Sequence, residues 1–277
     1  SVLCGLASTV FAAQDGEVEL RIVHTNDTHS CVMPVNPNSS DTALADKGGF
    51  VRRAALVRDL RAEDPDLLLF DSGDFSQGSA YYNLYKGDVE VKLMNEMRYD
   101  AATIGNHEFD FGLDNMARIF REAAFPIVCA NYHFEGTVLE GLVRPYVILE
   151  RKGVKVGVFG LGTQLEGMVA SENYKGVTYE DPVTAANRVA DELKNKEHCD
   201  LVVCLSHLGW DIDGLDDTER VSATRHIDIV LGGHSHTYFE HPEVLKNADG
   251  EDVYCNQMGK HGRYVGMLLL EMSPTGD

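Results

Sequence analysis

The sequence predicts an α/β protein of four layers, an α/β/β/α sandwich with two mixed β-sheets packed together and helices over both outer faces. Three observations carry that expectation. Apolar runs that read as strands alternate with stretches of helical spacing along both halves of the chain. A hairpin signal, Arg151-Lys152-Gly153, separates two strand-like runs and marks the passage from a first set of strands to a second. Finally, five polar clusters each fall just after a strand-like run: Asp27-Thr28-His29, Gly73-Asp74, Gly105-Asn106-His107, Ser206-His207 and Gly233-His234-Ser235-His236. That order is expected if every strand delivers its polar end to one edge of a sheet.

Taken in order, residues 19–25 alternate as a strand and turn at Asn26-Asp27. Residues 32–47, rich in Pro, Asn, Ser and Asp, read as a long surface loop. Residues 49–62 set Phe50, Val51, Ala54, Val57 and Leu60 near helical spacing, with Arg and Asp on the other face. Residues 67–70 form a short, wholly apolar strand, buried on both faces, that leads into Asp71-Ser72-Gly73-Asp74. A helix over 89–97 precedes a strand at 101–104, and a helix over 112–124 precedes a strand at 127–131. The hairpin pairs 146–150 with 154–161. In the second half a helix over 182–196 precedes a strand at 201–205, and a strand at 227–231 runs into Gly232-Gly233-His234. Strands at 253–257 and 264–272 complete the pattern. Nothing of low complexity interrupts 18–272, which reads as one domain. Tyr81, Tyr82 and Tyr85 open a helix and read as core aromatics in preference to lining the pocket mouth.

The flanks read differently. Residues 1–14 are apolar and rich in small residues, fitting the remnant of an export signal, and residues 273–277 read as the start of a linker or tail. Export to a periplasmic or extracellular space is therefore expected. No stretch is long and apolar enough to span a bilayer as a helix. Five cysteines lie beyond residue 14, and no CxxC spacing occurs. Cys129, Cys204 and Cys255 sit in strand-like runs as buried thiols.

With 24 basic against 44 acidic residues, the formal charge is −20, which argues against a nucleic-acid polymer as partner. A small phosphate ester is still compatible. The five clusters combine carboxylates, a carboxamide and imidazoles, the donor mix that suits two divalent ions in hydrolysis. Two such ions, offset by two aspartates and a bridging hydroxide, leave the cavity with about one positive charge inside an acidic protein. The shortage of thiolates near the clusters favours Mn²⁺ or Zn²⁺. Asp27 and His29, two apart at a strand end, point to one side and can serve one ion. His234 and His236 share the spacing, but a loop after Gly232-Gly233 can turn them to different ions.

In their detailed form these clusters resemble a known family. Asn26-Asp27-Thr28-His29, Asp71-Ser72-Gly73-Asp74, Gly105-Asn106-His107-Glu108-Phe109-Asp110, Leu205-Ser206-His207 and Gly232-Gly233-His234-Ser235-His236 resemble the motif set of the calcineurin-like metallophosphoesterases. Together with Gly259-Lys260-His261-Gly262-Arg263-Tyr264, they are similar to the N-terminal metallophosphatase domain of bacterial 5′-nucleotidases. The resemblance implies that Asp27, His29 and His236 hold one ion, that Asn106, His207 and His234 hold the other, and that Asp74 bridges them. It implies His107 as the catalytic histidine, with Asp110 fixing its tautomer and Asn106 also touching the phosphate. The nucleophile it implies is a hydroxide bridging the ions. Ser30 departs from the pattern, since the family usually has Gly there.

The activity so implied is that of a metal-dependent 5′-nucleotidase-type phosphomonoesterase. Alternatives are a phosphodiesterase of cyclic or sugar nucleotides, a related thiosulfohydrolase, or a catalytically silent binding module. Two-domain 5′-nucleotidases continue into a domain that stacks the base; the expectation is that this sequence is a piece of such a protein, or meets a C-terminal nucleotidase domain on another chain, or acts on a substrate other than a nucleoside monophosphate. The other six histidines are set aside: His24 as a satisfied core residue, His133, His198, His226 and His241, and His261, for which a place near the cleft is the lesser alternative.

Overall fold

The computed structural model describes residues 5–9, 18–42, 45–212 and 216–272. Its strands are β1 (Gly5–Thr9), β2 (Val18–Thr25), β3 (Leu68–Asp71), β4 (Ala101–Ala102), β5 (Ile127–Val128), β6 (Tyr132–His133), β7 (Val143–Arg144), β8 (Tyr146–Arg151), β9 (Val154–Gly162), β10 (Thr178–Tyr179), β11 (Leu201–His207), β12 (Ile229–Leu231), β13 (Glu243–Lys246), β14 (Asp252–Asn256) and β15 (Tyr264–Met272). Its helices are α1 (Phe50–Glu63), α2 (Ala80–Tyr85), α3 (Asp88–Met97), α4 (Gly112–Glu122), α5 (Pro182–Asp191) and α6 (Asp217–Arg220). One sheet runs β1-β15-β2-β3-β4-β5-β7 and the other β13-β14-β12-β11-β9-β8, while β6 pairs with β10.

The alternation of side chains across each strand builds the layers. Leu20 and Ile22 of β2, Leu68 and Phe70 of β3, and Leu201, Val203 and Leu205 of β11 share one buried cluster between the sheets. Their strand neighbours face outward. Val23 and Leu69 meet Val57 of α1, Met94 of α3 and Met116 of α4. Val202 and Cys204 meet Ala185, Ala186 and Val189 of α5. The result is the expected four-layer sandwich, and β3 is buried on both faces.

Some boundaries move for physical reasons. The strand expected over 101–104 pairs only at Ala101 and Ala102, after which the chain bends, Thr103 N donating to Asp71 O as it leaves the ladder. The helix expected over 182–196 is α-helical to Asp191 and ends in a π turn, Glu192–Lys196. The three tyrosines belong to α2, which left-handed Lys86 (φ 53°) and Gly87 (φ 101°) separate from α3. Tyr82 alone of them is buried, while Tyr81 and Tyr85 are exposed, correcting the expectation of a shared core role. The last strand, β15, joins the first sheet, lying antiparallel to β2 with Gly266 opposite His24.

Of the segment read as an export remnant, Gly5–Thr9 forms a strand parallel to β15 and the rest lies outside the described residues, as does the tail 273–277. No described helix is long and apolar enough to cross a membrane.

Candidate metal centre

β2, β3 and β4 are parallel neighbours in one sheet, and β11 and β12 in the other. Their carboxyl ends bring all five polar clusters together. Asp27, His29 and His236 each place one ligand-capable atom within 4.8 Å of the others, and Asp74, His207 and His234 do the same. The two groups adjoin. Asp27 Oδ1 lies 3.8 Å from His29 Nε2, 3.4 Å from His236 Nε2 and 4.0 Å from His207 Nε2. His207 Nε2 is in turn 3.1 Å from Asp74 Oδ2.

Hydrogen bonds orient the rings. His207 Nδ1 donates to Ser72 O at 2.7 Å and His29 Nδ1 to Ser76 O at 3.3 Å, because a carbonyl can only accept. Each ring thus turns its Nε2 into the cluster, where His29 Nε2 lies 3.0 Å from His236 Nε2. Asn106 Oδ1 is buried with no hydrogen-bond partner among the described residues, as a ligating carbonyl oxygen would be. The side-chain chemistry therefore fits two hard or borderline divalent ions.

The electrostatics agree. Burial disfavours the charged form of His207, but the Asp74 and Asp27 carboxylates outweigh it and push the imidazole up to about 10. Burial likewise opposes ionised Asp74, yet His207 and His29 hold it well below the usual carboxylate range. A place that draws a proton so strongly also draws a metal cation. Burial lowers His29, and lowers His234 to about 4, so both favour the neutral form that ligates.

The loops carrying these groups are strained. Asp27 (φ 47°), His29 (φ 43°), Asp74 (φ 54°), His234 (φ 73°) and His236 (φ 59°) all occupy the left-handed region, a conformation that surrounding structure must enforce. Asp27 N bonds Gly73 O at 2.9 Å and His29 N bonds Asp74 O at 3.0 Å, zipping two of the loops together. Gly105 is required by close approach, since a Cβ there would meet Asp74 Oδ1 at 2.1 Å.

His107 opens the short 3₁₀ turn His107–Phe109, which brings Asp110 beneath its ring. His107 Nδ1 lies 3.1 Å from Asp110 Oδ2, and that bond holds the imidazole above its ordinary value against the effect of burial. The half-buried ring lies 5.5 Å from that of His29, centroid to centroid, at the edge of the cluster. Its backbone N donates to Asp74 Oδ1 at 2.9 Å.

The sequence from residue 20 to residue 238 matches the model of the calcineurin-like phosphoesterases. The chain belongs to that family. Among its relatives, the 5′-nucleotidase of Homo sapiens is 32% identical over all of this chain and half of its own length. A snake venom 5′-nucleotidase of Crotalus adamanteus is 33% identical over 95% of this chain and 47% of its own. The crystal structure of a 5′-nucleotidase precursor from Thermus thermophilus superposes with a TM-score of 0.81 and 31% identity, covering 93% of this chain and 55% of that one. The chain thus spans about half the length of the curated relatives it matches.

Beside these family motifs stand supports that sequence reasoning passed over. Glu108 is fully buried. Its Oε2 accepts from Asp74 N at 3.0 Å and Gly105 N at 2.6 Å, and its Oε1 from Ser76 N at 3.0 Å. Gln257 braces the last motif, accepting from Thr237 N at 2.6 Å and donating to Gly233 O at 2.9 Å. Asn26 Nδ2 donates to Asp27 Oδ2 at 2.6 Å. His261, set aside on sequence, approaches His29 at 5.9 Å between ring centroids, its N donates to Asp27 O, and burial lowers it to about 4. A polar residue closing an apolar strand run, as Gln257 does, was the available signal.

Proposed function

We propose that this chain is the catalytic domain of an exported, metal-dependent phosphomonoesterase of the 5′-nucleotidase type. The observation that carries the reading is the pair of adjoining ligand groups with the His107–Asp110 pair at their edge. Asp27, His29 and His236 would hold one ion, and Asn106, His207 and His234 the other, with Asp74 between. When bound, such ions supply Lewis acidity and water activation near neutral pH; Mn²⁺ and Zn²⁺ suit the donor set.

The chain's own residues do the rest. His107 keeps its Nδ1 proton toward Asp110, which leaves Nε2 to meet the ester. Charged, it neutralises the developing negative charge on the phosphoryl oxygens or donates a proton to the leaving alkoxide. The strained loops fix the ligands before substrate arrives, so little reorganisation is needed on binding. Similarity to 5′-nucleotidases supports a nucleoside monophosphate as substrate, and similarity to a venom enzyme supports export. A metal-free sample titrated with Mn²⁺ and assayed on adenosine monophosphate tests the reading. Two ions bound per chain with release of phosphate is the expected result, and binding without hydrolysis of any phosphate monoester would overturn it.

A further inference from the structure

We propose that Glu90 is a positioning residue of this centre, acting through Ser30 to hold the loop that carries His29. The proposal rests on the reading of His29 as an ion ligand. Ser30 follows His29 and, like it, has left-handed backbone (φ 50°), a conformation that costs a residue other than glycine about 1 kcal/mol or more. It is 2% exposed, so its hydroxyl must find partners inside the protein.

It finds two. Ser30 Oγ donates to Glu90 Oε1 in a short hydrogen bond, and it lies 2.6 Å from Ser79 Oγ. Because the one Ser30 proton goes to the carboxylate, Ser79 must donate to Ser30. Ser79 Oγ also accepts from Tyr81 N at 3.1 Å as the N-cap of α2. The protons therefore run in one direction, from Tyr81 N to Ser79, from Ser79 to Ser30 and from Ser30 to Glu90. A buried carboxylate is the acceptor on which such a chain can end, and each bond polarises the next. Glu90 itself is 4% exposed and sits in the first turn of α3, where a helix start favours negative charge. Arg53, 7% exposed, lines the same small cavity.

The other end of the network reaches the proposed acid. One turn into α2, Tyr82 Oη donates to His107 O at 3.1 Å. Ser30 N bonds Phe75 O at 2.9 Å, next to the loop of Asp74. Glu90 thus ties together α3, α2 and the strained 27–30 loop. Losing it leaves the Ser30 hydroxyl with no terminal acceptor, and the loop can relax away from the geometry that sets His29.

The test uses Glu90→Gln, Glu90→Ala, Ser30→Gly and Ser30→Gly/Glu90→Ala in the full chain, with calorimetric Mn²⁺ titration and kinetics on an aryl phosphate. Glu90→Ala should weaken one of the two Mn²⁺ binding events by about tenfold or more, the usual scale for a group supporting a ligand, and lower kcat more than it raises KM. Glu90→Gln keeps an acceptor oxygen and should retain most of the affinity. Ser30→Gly suits the left-handed backbone and removes the hydroxyl, so in that background the further effect of Glu90→Ala should shrink to about threefold or less. Equal losses in both backgrounds, or a Glu90→Ala protein with both affinities intact and only a lower Tm, would show that Glu90 merely starts α3. Should Glu90→Ala not fold while Ser30→Gly/Glu90→Ala does, the coupling stands; failure of both to fold refutes it. Because the titration reads metal directly, a protein showing this pattern without hydrolysing phosphate esters would overturn the phosphatase reading and leave this one standing.

Discussion

His107 and Asn106 are adjacent, yet their side chains have different surroundings: the Asn106 side-chain oxygen is buried without a partner among the described residues, and the His107 ring leans on Asp110. Removing the ring should therefore spare the ions. His107→Ala is expected to keep two Mn²⁺ per chain while turnover falls by about 10²–10⁴-fold, the range for acid–base or charge-stabilising groups. Elemental analysis beside single-turnover kinetics checks this, and lost metal would make His107 a ligand. Glu108→Gln should act in the opposite way. Its amide nitrogen cannot accept, so at least one of the three backbone N–H groups around Glu108 loses its partner at a cost of about 1–3 kcal/mol, and Mn²⁺ affinity should fall at least tenfold. These two residues also mark what can be read from a chain. Residues whose chemistry is unusual at a strand end stand out, as Asp27 or His234 do. Glu108 and Gln257 serve mainly backbone amides and carbonyls, Gln257 accepting also from Ser235 Oγ, and which of these come near is settled by the folded loops alone.

Elements were legible wherever one periodicity dominated. β2, α1, β3, α4, the β8–β9 hairpin and β11 fall within a few residues of their expected ranges, because apolar spacing alone sets them. The seating of β15 was not, since pairing between distant strands depends on side chains that meet only in the sandwich. His24 and Gly266 show such a dependence. A Cβ on Gly266 would meet His24 Nε2 at 2.0 Å, so the glycine makes room for a fully buried ring. Core placement of His24 was expected, but not that both its ring nitrogens lack partners among the described residues. Gly266→Ala should thus cost about 1–3 kcal/mol by overpacking, with much of the loss recovered in His24→Ala/Gly266→Ala. Burial also pushes His24 from 6.5 down to about 3. The unfolded chain binds a proton below about 6.5 and the folded one does not until about 3, so this contribution is full above that window and is lost as pH falls through it, by about 1.4 kcal/mol per unit. Between pH 7 and 5, urea unfolding of the wild type should lose about 2 kcal/mol more than His24→Met, and parallel losses would show that His24 does not titrate there.

At the scale of the molecule, the rim formed by two sheets carries both candidate ligand groups, whereas the relatives it matches are about twice as long. On the proposed reading, the ions and imidazoles would recognise the phosphoryl group, which all nucleoside monophosphates share. Telling one base from another needs a stacking surface and edge contacts several ångströms away, and binding without them is dominated by the phosphate. The 277-residue chain alone should therefore hydrolyse an aryl phosphate and the adenosine, guanosine and cytidine monophosphates with high KM and little discrimination between bases. Adding a separately produced C-terminal nucleotidase domain should sharpen that choice. Steady-state kinetics on the three nucleotides, with and without that domain, makes the comparison. A hundredfold preference by the chain alone would mean that a base surface lies within these residues. Tyr238 would then be the first place to look, since it is exposed, stacks on Tyr264 at 4.0 Å and stands two residues beyond His236.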